Sequence, residues 1–362
     1  MIHDVDLLVT AGPGGVGKTT CAAALGVAAA QAGLRTVVMT VDPARRLADA
    51  LGLDVSPSEP HLVEGVGRDG GELHALMLDA KQTFDDLVRE QAGSDGAAHA
   101  ILGNRIYQAI SGSLAGAQEY MAIERLHQLH TSGEWDLVIV DTPPSRHALD
   151  LLEAPDRLVS FLGNPVYRAL TVSQRALARL TNAAASAFLW AVRRLAGPQI
   201  VEDTLEFFRS MANVESGLRT RAAEAGALLR GGSTRFVVVT SPRAEAIGEA
   251  GHLVDGLSTG GFPFGGLVVN MIHPAPPPLS DDQVDQLHEI AEADDGPLAD
   301  HVAWHDDLTR LAALEREEID ELMGHLDDEH RAVVEVIEIP LRTVDVNDLD
   351  DLGDLAEELV AP

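Results

Sequence analysis

Apolar stretches with few polar interruptions recur along the chain at 6–11, 36–41, 73–78, 137–140, 236–240, 267–270 and 334–339. Most are rich in Val and Leu without alternation, and segments of helical length separate them. Continuous runs of this kind are the pattern of parallel strands buried on both faces, so an α/β, doubly wound, mostly parallel sheet is predicted. Residues 142–234 hold no strand pattern and read as an inserted helical subdomain over 150–232. Within it, Asn164-Pro165 predicts an N-cap with proline at the first helical position, and Gly197-Pro198 and Gly231-Gly232 predict breaks. The proline-rich stretch 274–278 reads as a linker. Beyond it, 280–292 and 308–326 read as exposed acidic helices and 348–360 as a terminal one, so that 280–362 forms an acidic C-terminal part with the last strand. No internal repeat is present, and 1–362 reads as one domain.

Directly after the first apolar run stands Gly12-Pro13-Gly14-Gly15-Val16-Gly17-Lys18-Thr19-Thr20, followed by a helical stretch at 21–31. The pattern G-x-x-x-x-G-K-[ST] between strand and helix is a phosphate-binding loop. Gly12, Gly14, Gly15 and Gly17 let successive backbone N–H groups turn toward one anion, and those of Val16 and Thr20 complete the cradle. Lys18 reaches the β- and γ-phosphates and Thr19 offers its hydroxyl to Mg²⁺. The lysine is informative because the chain has only one other, Lys81, among its 26 Lys and Arg. Asp141 closes the run 137–140, where such loops place a carboxylate that holds Mg²⁺ together with Thr19. Asp42 closes the second run at the same edge and is placed to orient or deprotonate an attacking water. For one strand-terminal Asp the plainer role is a helix cap; three such features in order shift the balance toward catalysis.

Composition narrows the partners. The 362 residues are 46 % hydrophobic, enough for a sizeable core. The first residues carry no basic and apolar leader pattern, and the apolar stretch at 183–192 is short of the ~20 residues of a membrane span, so a soluble, cytoplasmic protein is predicted. The single cysteine, Cys21, excludes an internal disulfide, a four-cysteine zinc site and a cysteine-only cluster held by one chain. A net charge of −31 argues against nucleic acid. The charge is uneven: 281–362 holds 27 acids against 4 Arg, whereas 150–232 holds 8 acids against 10 Arg.

The loop with its two central glycines, Asp42-Pro43-Ala44-(x)2-Leu47-(x)-Asp49 and Asp141-Thr142-(x)-Pro144-(x)2-His147 resemble the arsenite-pump and tail-anchored-protein-targeting ATPases over nearly the whole chain. Within that family, the stretch 113–120, together with Pro340-Leu341-Arg342 and Asp348-Leu349, is most similar to bacterial paralogs named anion-transporting ATPases. The resemblance implies a P-loop NTPase fold of the SIMIBI type, Mg²⁺-dependent ATP hydrolysis and a dimer whose conformational cycle serves targeting or transport. It makes the two Asp motifs switches I and II. It also implies that Asn270, in Val269-Asn270-(x)3-Pro274, reads the adenine, with Pro340 and Leu341 closing over the base.

Three departures qualify what the resemblance implies. Most members carry a second lysine at the position of Pro13, which reaches across a dimer to the partner's phosphates. Arg45, Arg46 and Arg146 stand in the two switches; one of them supplies the missing cation, or they only pair with neighbouring acids, or a lysine-bearing paralog completes a heterodimer. Without a second cysteine, metalloid thiolate sites and a shared interface zinc are not expected. The acidic terminal helix would be repelled by anionic lipid, so no direct lipid anchor is expected. For the helical insertion three readings stand: a groove for a hydrophobic client segment, ordinary core packing with Arg168, Arg175 and Arg179 incidental to it, or arginines that face an acidic partner subunit. The remaining outputs are an energising subunit for a membrane permease that moves an anion or metalloid, and a low-turnover nucleotide switch.

Overall fold

The computed structural model describes residues 1–2, 4–42, 44, 46–53, 58–110, 117–164, 206–207, 210, 214–293, 297–326, 334–346 and 348–360. One sheet contains β1 Leu7–Ala11, β2 Arg35–Thr40, β3 His61–Val63, β4 Glu72–Met77, β5 Leu137–Asp141, β6 Thr234–Thr240, β7 Phe264–Ile272 and β8 Glu335–Pro340. Their order is β3-β4-β2-β5-β1-β6-β7-β8, and all pairings are parallel except that of β3 with β4. The α/β doubly wound sheet is therefore as the apolar runs predict. Every residue of β1 and β5 is buried, which is why those runs show no polar alternation. The hydrophobic pattern misses β3, an antiparallel edge strand of three residues with two exposed, too short and polar to register.

The helices among the described residues are α1 Lys18–Gln31, α2 Arg46–Ala50, α3 Ala80–Gln91, α4 Asp95–Leu102, α5 Arg105–Ile110, α6 Ala117–Thr131, α7 Ser145–Gly163, α8 Glu215–Leu229, α9 Ala244–Gly260, α10 Asp281–Ala293, α11 Pro297–Gly324 and α12 Leu349–Val360. Alanine-rich α1 is buried along nearly its whole length against one face of the sheet. Over it lies α12, whose Leu352, Leu355, Ala356 and Leu359 follow the i, i+3, i+4, i+7 stripe of an amphipathic helix. Each buried leucine contributes about 1.5–3 kcal/mol of transfer free energy, so the acidic terminal helix is anchored by its apolar stripe. The opposite face is covered by α6, α7, α8 and α9.

A further core lies beside the sheet. Leu87, Ile101, Tyr107 and Tyr120 from α3 to α6 pack with Ala154, Leu162, Leu218 and Ala222 from α7 and α8. The helical layer thus draws on the segment between β4 and β5 as well as on the one after β5. Arg221 on α8 meets the buried Glu124 on α6 at 2.5 Å, tying the two together. Asn164 closes α7 in extended backbone, while Pro165, Gly197, Pro198, Arg168, Arg175 and Arg179 lie outside the described residues. Helix α11 begins with Pro297 at its first position, well before residue 308, because proline favours the first helical turn. Among the described residues no helix is long and apolar enough to cross a membrane.

Candidate functional site

Parallel pairing brings the carboxyl ends of β1, β2, β5, β6 and β7 to one edge, where open α/β sheets bind ligands. Thr40, Asp141 and Thr240 end apolar strands there, Thr10 stands one residue before the end of β1, and all four are buried. The register sets Asp141 between Thr10 on β1 and Thr40 on β2.

The loop of residues 12–17 leaves β1 and enters α1. Two of its glycines are sterically required. Gly12 has φ 155°, and a Cβ there would run into the carbonyl oxygen of Val239 at the end of β6. Gly17 has φ 91°, and a Cβ there would run into the amide of Asn270. Gly14 and Gly15 stand exposed at the crest, Val16 is buried, and Thr19 and Thr20 are half-buried in the first turn of α1. No side chain caps the start of α1, so its first N–H groups point into the loop as an anion cradle.

The buried Lys18 Nζ donates to the carbonyl oxygen of Pro13 at 2.6 Å. Burial pulls its ammonium below the usual lysine range, against the opposing charge of Asp141. Asp141 Oδ2 accepts hydrogen bonds from Thr19 Oγ1 at 2.7 Å and from Thr40 Oγ1 at 2.9 Å. Its Oδ1 is buried and takes no hydrogen-bond partner among the described residues. Burial pushes the Asp141 carboxyl up, opposed by those two hydroxyls and by Lys18. A buried cation and a half-satisfied buried carboxylate are both costly alone. A hard divalent cation fits Asp141 Oδ1 and the Thr19 hydroxyl, and phosphate oxygens fit Lys18 and the free N–H groups. Among the described residues there is no cluster of three or more His, Cys, Asp or Glu able to hold a metal by themselves.

Asp42 follows β2. Its N–H donates to Thr40 Oγ1 at 3.2 Å, its Oδ1 accepts from the N–H of Ala44 at 2.9 Å, and its Oδ2 lies 3.6 Å from Arg46 Nη1. One hydroxyl, that of Thr40, therefore links the Asp141 carboxylate to the backbone N–H of Asp42. The sequence reading passes over Thr40; its signal is a hydroxyl closing an otherwise apolar run just ahead of Val41-Asp42. Arg46 is exposed and paired with Asp42. Arg45 lies outside the described residues, and Arg146 stands in the first turn of α7 with its side chain outside them.

Asn270, near the end of β7, reaches back to the loop: its Nδ2 donates to the Val16 carbonyl oxygen at 2.9 Å, and its Oδ1 accepts from the N–H of Met271 at 2.9 Å. Pro340 ends β8, and the Leu341 N–H donates to the Ile272 carbonyl oxygen at 2.7 Å, which holds the exposed Leu341 beside the end of β7. The predicted loop residues, Thr19, Asp42, Asp141 and Asn270 are thus gathered at one edge. Cys21 is buried in α1, and burial pushes its thiol up to about 12. A cavity of about 850 Å³ between α7 and α9, lined by Leu149, Phe161, Arg230 and Phe262, shares no residue with this edge.

Residues 5–292 match the family described as anion-transporting ATPase. The chain is 28 % identical over 287 residues to "ATPase ARSA1" of Chlamydomonas reinhardtii, covering 74 % of this chain and 35 % of that protein. It is 29 % identical over 287 residues to "ATPase GET3B" of Arabidopsis thaliana (75 % and 64 %) and 30 % identical over 275 residues to "ATPase GET3C" of the same plant (73 % and 66 %). The matched part thus spans 35 % of the algal relative and just under two thirds of the two plant relatives.

Proposed function

The chain belongs to the anion-transporting ATPase family, and on that premise we propose that it binds ATP with Mg²⁺ at the loop between β1 and α1 and hydrolyses it. The observation that carries this reading is the buried Asp141, bonded through Oδ2 to the Thr19 hydroxyl and with Oδ1 unpartnered among the described residues. Thr19 and Asp141 would hold Mg²⁺, which when bound neutralises charge between the β- and γ-phosphates. The N–H groups of Gly12, Gly14, Gly15, Val16, Gly17 and Thr20 cradle the phosphates. Lys18 exchanges the Pro13 carbonyl for β- and γ-oxygens. Asp42 orients a water and accepts its proton as the water oxygen bonds to the γ-phosphorus; the bond from that phosphorus to the β–γ bridging oxygen breaks, leaving ADP and phosphate. Asn270, Pro340 and Leu341 flank the adenine.

The working unit in this reading is a cytoplasmic dimer whose two-subunit cycle serves targeting or transport, through a hydrophobic client segment or a membrane permease. Pro13 bears on its composition: a residue that contributes only a carbonyl to Lys18 brings no cation of its own. Arg45, Arg46 or Arg146 takes that part in a homodimer; otherwise a lysine-bearing paralog completes a heterodimer. The test is ATP binding and Mg²⁺-dependent turnover by the purified chain and by Asp42→Asn, at moderate and high salt. The reading expects the variant to bind ATP and lose turnover. Equal turnover by both proteins overturns the role of Asp42, and a wild type that binds no ATP overturns the reading as a whole.

A further inference from the structure

Asn270, Met271 and Ile272 at the end of β7 and His273 just beyond it are each held by a different contact. Asn270 is bonded to the phosphate loop through Val16, and Met271, at a left-handed φ of 65°, donates its N–H to Asn270 Oδ1. Ile272 accepts from the Leu341 N–H. His273 is held from α11 by Glu315, whose carboxylate is buried and takes two hydrogen bonds from this one residue: Oε2 from the backbone N–H at 2.9 Å and Oε1 from ring Nδ1 at 2.6 Å. Strain at a non-glycine residue is kept only where surrounding contacts over-determine it, and such positions concentrate at ligand sites.

The Glu315 contact has a chemical consequence. An ionised carboxylate only accepts, so it fixes the proton on Nδ1 and leaves Nε2 of the neutral ring as an acceptor. The ring is partly exposed, and Nε2 takes no partner among the described residues. The turn therefore offers one oriented acceptor three residues beyond an amide that touches the phosphate loop. Asn270 spends one N–H on Val16 and one lone pair on Met271, which leaves one donor and one acceptor position. Every purine presents an N7 acceptor to that donor, whereas only adenine presents an amino group at position 6; guanine and hypoxanthine carry an oxygen there.

We propose that His273, oriented by Glu315, selects adenine over 6-oxopurines by accepting from the 6-amino group, with Glu315 as its positioning residue. The proposal rests on the nucleotide reading above. The test measures binding of fluorescently labelled ATP and ITP, which differ at position 6, to wild type, His273→Ala and Glu315→Gln, with a thermal melt of each protein. Facing an acceptor with an oxygen costs about 1–3 kcal/mol, so wild type is expected to favour ATP by roughly five- to 150-fold. His273→Ala brings the two affinities near parity. Glu315→Gln can donate from its amide to Nδ1 and so move the ring proton to Nε2, which shifts preference toward ITP. Should that variant fail to fold, His273→Ala still decides the matter. An unchanged ATP-to-ITP ratio in His273→Ala, even with both affinities weakened, overturns this inference and leaves the ATP reading standing. A wild type that binds neither nucleotide overturns both.

Discussion

Lys18 donates its ammonium to the carbonyl oxygen of Pro13 at 2.6 Å, so the cation of the loop is held by the residue five positions before it. The bond pre-orients the side chain inside its own loop while burial weakens its hold on the proton. Lys18→Met is expected to lower ATP affinity at least about tenfold, the loss of one charge-assisted contact to phosphate. Without nucleotide its melting temperature should equal or exceed that of wild type, because a buried charge costs solvation free energy. Calorimetric titration with ATP and a thermal scan check the two halves.

Thr40 joins Asp141 and Asp42 through one hydroxyl, which donates to the former and accepts from the N–H of the latter. Thr40→Val keeps the shape and removes both bonds, at about 1 kcal/mol each. Turnover is expected to fall tenfold or more, by about 1.4 kcal/mol of barrier, with ATP affinity kept within a few fold. Thr36→Val is the control, since that buried threonine lies at the other end of β2 and its hydroxyl donates to the Leu34 carbonyl, away from the site. Equal effects of the two substitutions in a steady-state assay would remove Thr40 from the site.

Glu124 is buried and bonded to Arg221, with Tyr120 and Gln128 also donating to it, whereas Arg221 reaches Glu90 as well. Removing one partner leaves a desolvated charge, so Glu124→Ala should cost about 3–5 kcal/mol in urea unfolding. The double substitution Glu124→Leu with Arg221→Leu should recover most of that loss. Simple additivity of the two single variants would contradict a coupled pair.

His127, one turn along α6 from Glu124, is buried with Nδ1 unpartnered among the described residues. Burial pulls its imidazole below the ordinary 6.5, partly offset by Glu124. The unfolded chain therefore takes up this proton more readily than the folded one. The associated stability is complete above pH 6.5 and is lost as pH falls from there through the depressed folded value. Unfolding free energies at about pH 7.5 and about pH 5.5 should show a smaller acid loss in His127→Gln than in wild type. An identical loss would assign the acid sensitivity to other groups.

Much of the fold was legible because each signal is local. A strand buried on both faces must be apolar throughout, and seven runs announced seven of the eight strands among the described residues. The missing one, His61–Val63, is too short and exposed to carry a pattern. The loop was legible because glycines at 12 and 17 answer to crowding at neighbouring backbone and side chains, and chain order alone shows a strand before them and a helix after. Their places at the ends of apolar runs pointed to Asp42 and Asp141, the resemblance pointed to Asn270, and the structure gathers all three at the edge of the loop.

What the chain alone determined was which residues could do chemistry and in which order they come. Their joint arrangement was decided by pairing register and helix packing. Thr40 meets Asp141 across 101 residues, Asn270 meets Val16 across 254, and His273 meets Glu315 across 42. No local propensity encodes such contacts. A hydroxyl at the end of β2 becomes a bridge only when β5 pairs beside it in a register that sets Thr40 against Asp141, and a one-residue slip would turn that side chain to the other face of the sheet. A glutamate on an acidic helix becomes the orienter of a histidine only when α11 packs against the end of β7, where burial strips water from the carboxylate and leaves the two N–H groups of His273 as its partners.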